Sequence, residues 1–233
     1  RKAAEDAGAA TKYTATEGPV YLSGTQALVR LPMTQMRRDR QAGLNTAAFI
    51  SGYRGSPLGG YDQQLVKARP FLDRHDVVFQ PGVNEDLAAT AVWGSQQVPL
   101  SQGATKDGVL GIWYGKGPGV DRSGDVLKHA NAAGTSEFGG VLALAGDDHT
   151  CKSSSIPHQS DHAFISALMP MLYPSSVHEF LEMGLLGIAM SRFSGCWVGF
   201  KVISETVETT TVVDLAQEAR TFRLPPDFPL PPG

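Results

Sequence analysis

The chain has 233 residues, 42% of them hydrophobic and 18% charged, with a formal net charge of -3. This is enough to bury a substantial core in one globular domain, and it lacks the Lys/Arg runs that mark a nucleic-acid or membrane-surface partner. Two cysteines, Cys151 and Cys196, are too few for a disulfide framework or for the four thiolates of an iron-sulfur cluster, which fits a reducing, cytoplasmic setting.

In chain order, "RKAAEDAGAATKY" has no initiator Met and no hydrophobic signal segment, and residues 1–18 read as an N-terminal tail. A helical pattern over 24–43 precedes the first predicted strand, "AAFISG" (47–52). Further strands are predicted at "VVFQP" (77–81), "VLGIWY" (109–114), "GVLALAG" (140–146) and "CWVGFKVI" (196–203). Helical patterns lie between them at 59–74, 84–97, 121–134 and 176–193, and no apolar run reaches membrane-spanning length. The alternation predicts an α/β domain over 19–215: three layers, with a mostly parallel sheet of about six strands between helices. Residues 216–233, ending "RLPPDFPLPPG", read as an extended proline-rich linker to a further domain, so both ends look like cuts in a longer polypeptide.

Ligands of such sheets collect at the carboxyl ends of the strands. The segments placed there are "SGYRGSPLGGYD", "QPGVNED", "WYGKGPGVDRSGD" and "AGDDHTCKSSSIPHQSDH". In the first, Gly52, Gly55, Gly59 and Gly60 permit close backbone approach, and Pro57 fixes the turn. The third matches neither a phosphate loop nor a dinucleotide fingerprint, leaving Lys116 and Arg122 as cations suited to an anionic group or as solvated surface charge. In the fourth, His158 and His162 would share a face if helical and could ligate a metal with Cys151 or His149, but the spacing fits no standard zinc pattern. A polar loop lining a pocket is the simpler reading.

"NEDLAATAVWGSQQ" is the most informative stretch. Asn84 suits an N-cap, and Glu85 and Asp86 complement the first turn of the helix. The helix then runs on with almost no charge, as though buried against the sheet or another subunit. Desolvation at such a rim disfavours the charged form of a carboxyl group, which suits one that shares a proton with a basic ring nitrogen.

These residues resemble the 2-oxoacid:ferredoxin oxidoreductases, most closely the fused indolepyruvate type. The resemblance spans about 20–215 and rests on "GYRGSPLGGYD", "NEDLAATAVWGSQQ" and "GDDHTCKSSS" in that order. It implies the pyrimidine-binding domain of a thiamine diphosphate enzyme, in which the acid opening the helix, matched by Glu85, bonds N1′ of the aminopyrimidine and Asp86 is only a dipole partner. It further implies cofactor contacts from Gly55, Ser56 and Pro57, with Ser56 standing where the family carries Thr and Arg54 where it carries Pro. Substrate contacts are expected from Arg54, Lys116, Arg122, Asp148 and His149. The implied reaction decarboxylates an aryl 2-oxo acid, gives the acyl group to coenzyme A and passes electrons to ferredoxin, with the cofactor as electron sink. No metal is assigned to this segment. The diphosphate with its Mg²⁺, and the iron-sulfur clusters, are expected on other domains, and a homodimer is implied because such sites form between two domains. Two rivals remain: a non-catalytic assembly or redox-partner docking domain of the same fold, and a metal-dependent hydrolase built on residues 147–162.

Overall fold

The computed structural model describes residues 11–223. Six strands form one parallel sheet: β2 (Ala47–Gly52), β3 (Val77–Phe79), β4 (Val109–Lys116), β5 (Val141–Asp147), β6 (Met171–Leu172) and β7 (Trp197–Ile203), in the order β3-β2-β4-β5-β7-β6. Every residue of β5 is buried, as are all of β4 except Lys116, because helices cover both faces. Alternation along β4 divides the core. Leu110, Ile112 and Tyr114 face helices α1 (Gly24–Gln41), α2 (Tyr61–Lys67) and α8 (Val177–Ser194). Trp113 faces α4 (Glu85–Ser95), α6 (Gly124–Ala133) and α7 (Asp161–Ser166). The expected three-layer α/β/α fold is therefore present.

The strands all run the same way, but the order in which the chain adds them reverses between β2 and β4. The chain leaves β2 for α2 on one face and returns through β3 and α4 on the other, so the loops after β2 and β4 diverge and leave a crevice at their carboxyl ends. The termini of the helices follow from their sequences. Ser23 and Gln26 form a reciprocal capping box at α1, and Gly195 ends α8 at φ 73°.

Several elements differ from expectation. The helical pattern at 59–74 is two helices, α2 and α3 (Arg69–Asp73), because Pro70 cannot continue the hydrogen-bond ladder. The glycine-rich "loop" after β4 is a helix, α5 (Gly117–Arg122), whose Pro118 sits in the first turn where no donor is needed, and the pattern at 121–134 breaks at Ser123 before α6. A second, antiparallel sheet pairs β1 (Pro19–Ser23) with β8 (Thr210–Asp214), and a short α9 (Ser204–Val207) precedes β8.

Within the predicted tail, residues 11–14 form a helical turn that buries Tyr13, and Arg30 donates to the main-chain oxygens of Lys12 and Ala15. Within the predicted linker, Glu218 is buried and accepts from Arg30, Thr34 and Arg37. Residues 1–10 and the proline-rich stretch 224–233 lie outside the described residues.

Candidate functional site

Four loops meet at the carboxyl ends of β2 to β5. Asn84 caps α4, its side chain accepting from the Leu87 N–H at 2.9 Å, so Glu85 opens the helix as the sequence predicts. The approach to that cap is tied to the end of β2 by the Gly82 N–H, which donates to the Gly52 oxygen at 2.8 Å. From β4, the Trp113 indole Nε1–H donates to the Glu85 main-chain oxygen at 2.8 Å.

The Glu85 side chain runs along α5. A Cβ built on Gly119 would lie 2.4 Å from Glu85 Cγ and 2.8 Å from Oε1, and one on Gly115 would lie 3.4 Å from Cγ. These glycines make room for the carboxylate. Glu85 is half-buried, and its carboxylate makes no hydrogen bond or ion pair with the described residues. The fold places this acid and leaves its oxygens free. Beside it, one Asp86 carboxylate oxygen is buried without a partner.

The turn after β2 reaches the same place. Gly55 lies against the Lys116 stem, its Cβ position 3.1 Å from Lys116 Cβ, and Pro57, after a cis Ser56–Pro57 bond, packs over Gly146 of β5. Lys116 Nζ donates to the Ser153 oxygen at 3.0 Å, linking the β4 end to the loop after β5. Under this turn, the Tyr61 hydroxyl is buried without a hydrogen-bond partner, and the buried Tyr114 hydroxyl lies close to the Asp62 carboxylate. Burial pushes the Asp62 carboxyl up, against the opposing pull of the Tyr114 hydroxyl and the Arg54 charge. Arg54 and Arg122 are exposed.

The loop after β5 is organised by its acids. Asp148 accepts from the N–H groups of Lys152 (2.9 Å) and Ser153 (2.8 Å), which turns the chain so that Cys151 takes φ 59°. The Ser153 N–H, then that of Lys152 with the serine hydroxyls, hold the Asp148 carboxyl down to about 2 against a smaller effect of burial. Asp148 is thus engaged within its own loop. Asp147 is buried and accepts from both the N–H and the hydroxyl of Ser160.

His158 packs on Gly117, on the side of α5 opposite Glu85, and its Nε2 lies 2.8 Å from Asp121 Oδ2. His149 stands edge-on to Tyr173 and, with Asp147, Asp148, Lys152 and Glu205, lines a pocket of about 110 Å³.

The proposed His158/His162 metal face is not formed. α7 begins at Asp161, so the two histidines are not on one helix, because Pro157 and the Asp147–Ser160 bonds hold the chain in a loop up to that point. The Cys151 thiol donates to the Ser154 oxygen at 2.6 Å. Among the described residues, no group of three or more His, Cys, Asp or Glu is arranged to hold a metal ion.

Sequence reasoning missed Lys201, which is 3% exposed and stands between Asp161 (2.6 Å) and Asp147 (3.5 Å) with its ammonium 4.8 Å from the Tyr173 ring centroid. Its signal was a lone cation in an apolar strand next to one ending in acids. Burial alone would raise Asp161, but the Lys201 hydrogen bond and charge outweigh it and leave that carboxyl below its ordinary range.

A larger cavity, about 810 Å³, lies at the other edge of the sheet, lined by Gln35, Asp39, Leu44, Phe138 and Arg192, which precede the strands or end the helices leading into them. It touches none of the four loops. No helix among the described residues is long and apolar enough to cross a membrane.

No protein-family model matches the chain, and no curated protein matches it. Among solved structures, it is similar to a 2-oxoglutarate:ferredoxin oxidoreductase from Magnetococcus marinus with 2-oxoglutarate, coenzyme A and succinyl-CoA bound, at 14% sequence identity and a TM-score of 0.65. The match covers 85% of this chain and 32% of that one, so this chain spans about a third of that enzyme's length. What the likeness shows is the fold: the three-layer α/β architecture of this chain is shared with part of that oxidoreductase.

Proposed function

We propose that this chain is the pyrimidine-binding domain of a thiamine diphosphate-dependent 2-oxoacid:ferredoxin oxidoreductase, with Glu85 as the acid that exchanges a proton with the cofactor ring. One observation carries the reading: a carboxylate at the mouth of a capped helix, lying in a groove made by Gly115 and Gly119, with no partner among the described residues. That arrangement fits a basic ring nitrogen. The shared fold and the order of the three motifs support the same family.

Gly55, Ser56 and Pro57 would border the ring, with the Ser56 hydroxyl as its polar contact. Lys116, with one donor used on Ser153, and the exposed Arg54 and Arg122 would supply positive charge for a substrate carboxylate. Asp148 shapes the loop that carries His149 toward that substrate. The chain has no G-D-G…N segment, so the diphosphate and its Mg²⁺ would be held by another domain. When bound, the cofactor would supply the electron sink for loss of CO2 from a 2-oxo acid.

The exposed side of α4 and its flanks carries Val83 (82% exposed), Leu87 (54%) and Leu100 (81%), with uncharged Thr90, Ala91 and Gly94 between. A diphosphate-binding domain, from the same or a partner subunit of a homodimer, would cover it and exclude water from Glu85. The assignment to indolepyruvate rests on the motif resemblance alone. Coenzyme A as acyl acceptor, ferredoxin as electron acceptor, iron-sulfur clusters on other domains and a cytoplasmic location complete the proposal.

The test uses the full-length protein with thiamine diphosphate and Mg²⁺, reading exchange of the cofactor's C2 proton with D2O. Glu85→Gln should slow exchange by about 10²- to 10⁴-fold and leave thermal unfolding unchanged, since no bond within the domain is lost. Unaltered exchange would mean a domain kept for assembly or docking. A higher kcat/KM for 2-oxoglutarate than for indolepyruvate would overturn the substrate assignment only.

A further inference from the structure

We propose that Trp113 is a positioning residue for Glu85, acting through the main-chain oxygen of Glu85; its catalytic consequence rests on the role proposed for Glu85 above. Trp113 is wholly buried, on the face of β4 that meets α4, and its indole N–H reaches the carbonyl of the first residue of that helix at 2.8 Å. A carbonyl oxygen has two lone pairs, so this bond adds to the helix ladder rather than replacing part of it.

Burial of a tryptophan does not produce such a bond by itself. The indole nitrogens of Trp93 and Trp197 are also buried, and neither has a hydrogen-bond partner. The geometry is specific in a second way. The far edge of the Trp113 ring lies against Gly115, a Cβ there coming within 2.7 Å of Cζ2 and Cη2, and Gly115 and Gly119 are the residues that border the Glu85 side chain. One ring therefore sets where α4 starts relative to β4, and fills the wall beside the groove that the carboxylate follows. Phenylalanine would fill that space and lack the donor.

With the bond removed, the ring still packs and α4 keeps its Asn84 cap and the Gly82–Gly52 contact, but the first residue of the helix loses its hydrogen bond to β4. A displacement of about 1 Å at a reacting group costs up to about 100-fold in rate. The experiment is a double-mutant cycle on the full-length protein, with Trp113→Phe, Glu85→Gln and the combination. The readouts are C2 proton exchange at saturating thiamine diphosphate, and cofactor Kd by titration calorimetry.

Trp113→Phe should slow exchange about 10- to 100-fold with Kd within about threefold of wild type, and should slow the Glu85→Gln protein no further. Equal slowing in both backgrounds, a matching loss of Kd, or no slowing at all would overturn the proposal. A separate readout needs neither cofactor nor variant: in the wild-type protein, the Trp113 indole proton, assigned from its contacts with Glu85 and Gly115, should be protected from exchange with D2O. Protection with no effect of Glu85→Gln on cofactor chemistry would retain the positioning bond and reject the catalytic role of Glu85. An unprotected, freely exchanging indole proton would overturn the inference itself.

Discussion

Gly119→Ala is the sharpest single perturbation of the groove. The added Cβ would lie 2.4 Å from Glu85 Cγ and 2.8 Å from both Cδ and Oε1, whereas carbon atoms in contact sit about 3.5 Å apart or more. The shortfall is about 1 Å, so either the Glu85 side chain leaves α5 or α5 moves away from α4. Gly119 has no positive φ, and alanine is favoured over glycine in a helix by about 0.5–1 kcal/mol, which offsets part of the roughly 1–3 kcal/mol of overpacking. Stability should change little because Glu85 is half-buried and can swing outward, while C2 proton exchange should fall about 10- to 100-fold. Calorimetry and the exchange assay on the same sample separate the two effects. Gly124→Ala, with nothing within 4 Å of its Cβ position, is the matched control and should leave exchange unchanged while raising stability by no more than about 0.5–1 kcal/mol. Exchange within twofold of wild type in Gly119→Ala would refute the claim that the carboxylate must lie along α5.

Other expectations concern the scaffold. Buried Asp39 and partly exposed Arg192 form a two-pronged ion pair at 2.8 and 2.7 Å, so Arg192→Met should cost about 1–3 kcal/mol in urea unfolding by leaving Asp39 without its counter-charge. Burial raises the Asp39 carboxyl, but the Arg192 hydrogen bonds and charge with Thr46 and Gln35 bring it below its ordinary value. A lowered folded value means stability present above the unfolded value of about 3.9 and lost as pH falls through the folded one, so Asp39→Asn should flatten the acid limb of stability measured from pH 6 to 2. Asp148 has the same sign with a folded value of about 2, and the amides of residues 149–154 should lose protection, measured against intrinsic exchange at each pH, as pH falls from about 4 toward 2. Lys201→Met should strand the buried Asp147 and lower stability by about 3–5 kcal/mol, and addition of Asp147→Asn should recover part of that loss.

The strands were legible because a sheet covered on both faces is written as unbroken apolar runs, as "VLGIWY" and "VLALAG" show. β1 and β8 were not, because each is short and its partner lies almost the whole chain away, so no local pattern announces the pair. Glu85 could be located because an N-cap residue, two acids and a run of small residues are adjacent in sequence. Trp113 could not. A tryptophan in an apolar strand reads as core, and its bond reaches a residue 28 positions earlier. Glycines that make room for a ligand, as was expected of those after β2, look the same in sequence as Gly119, which makes room for a side chain of the protein itself, and Gly117, which makes room for the His158 ring. Sequence cannot separate these readings, since each requires only the absence of a Cβ.

Two concave regions compete to be the working surface, and their contents decide between them. The 810 Å³ cavity is larger, but Arg192 and Asp39 there are bonded to each other, with Arg192 also donating to the Gly139 oxygen, and Arg38 is spent on the main-chain oxygens of Glu218 and Arg220. At the carboxyl edge, Glu85 is held by its main chain yet has free carboxylate oxygens, one oxygen of Asp86 is shielded without a partner, and Lys116 keeps donors in reserve. Free valence on immobilised groups is the condition for acting on something else, because a group already paired must first lose that bond. The same edge is rimmed by the exposed Val83, Leu87 and Leu100 beside the small residues of α4 that permit close approach. An unpaired acid next to an exposed apolar rim is what the proposed function requires of this domain, and on that proposal the other wall of the site would come from a second domain.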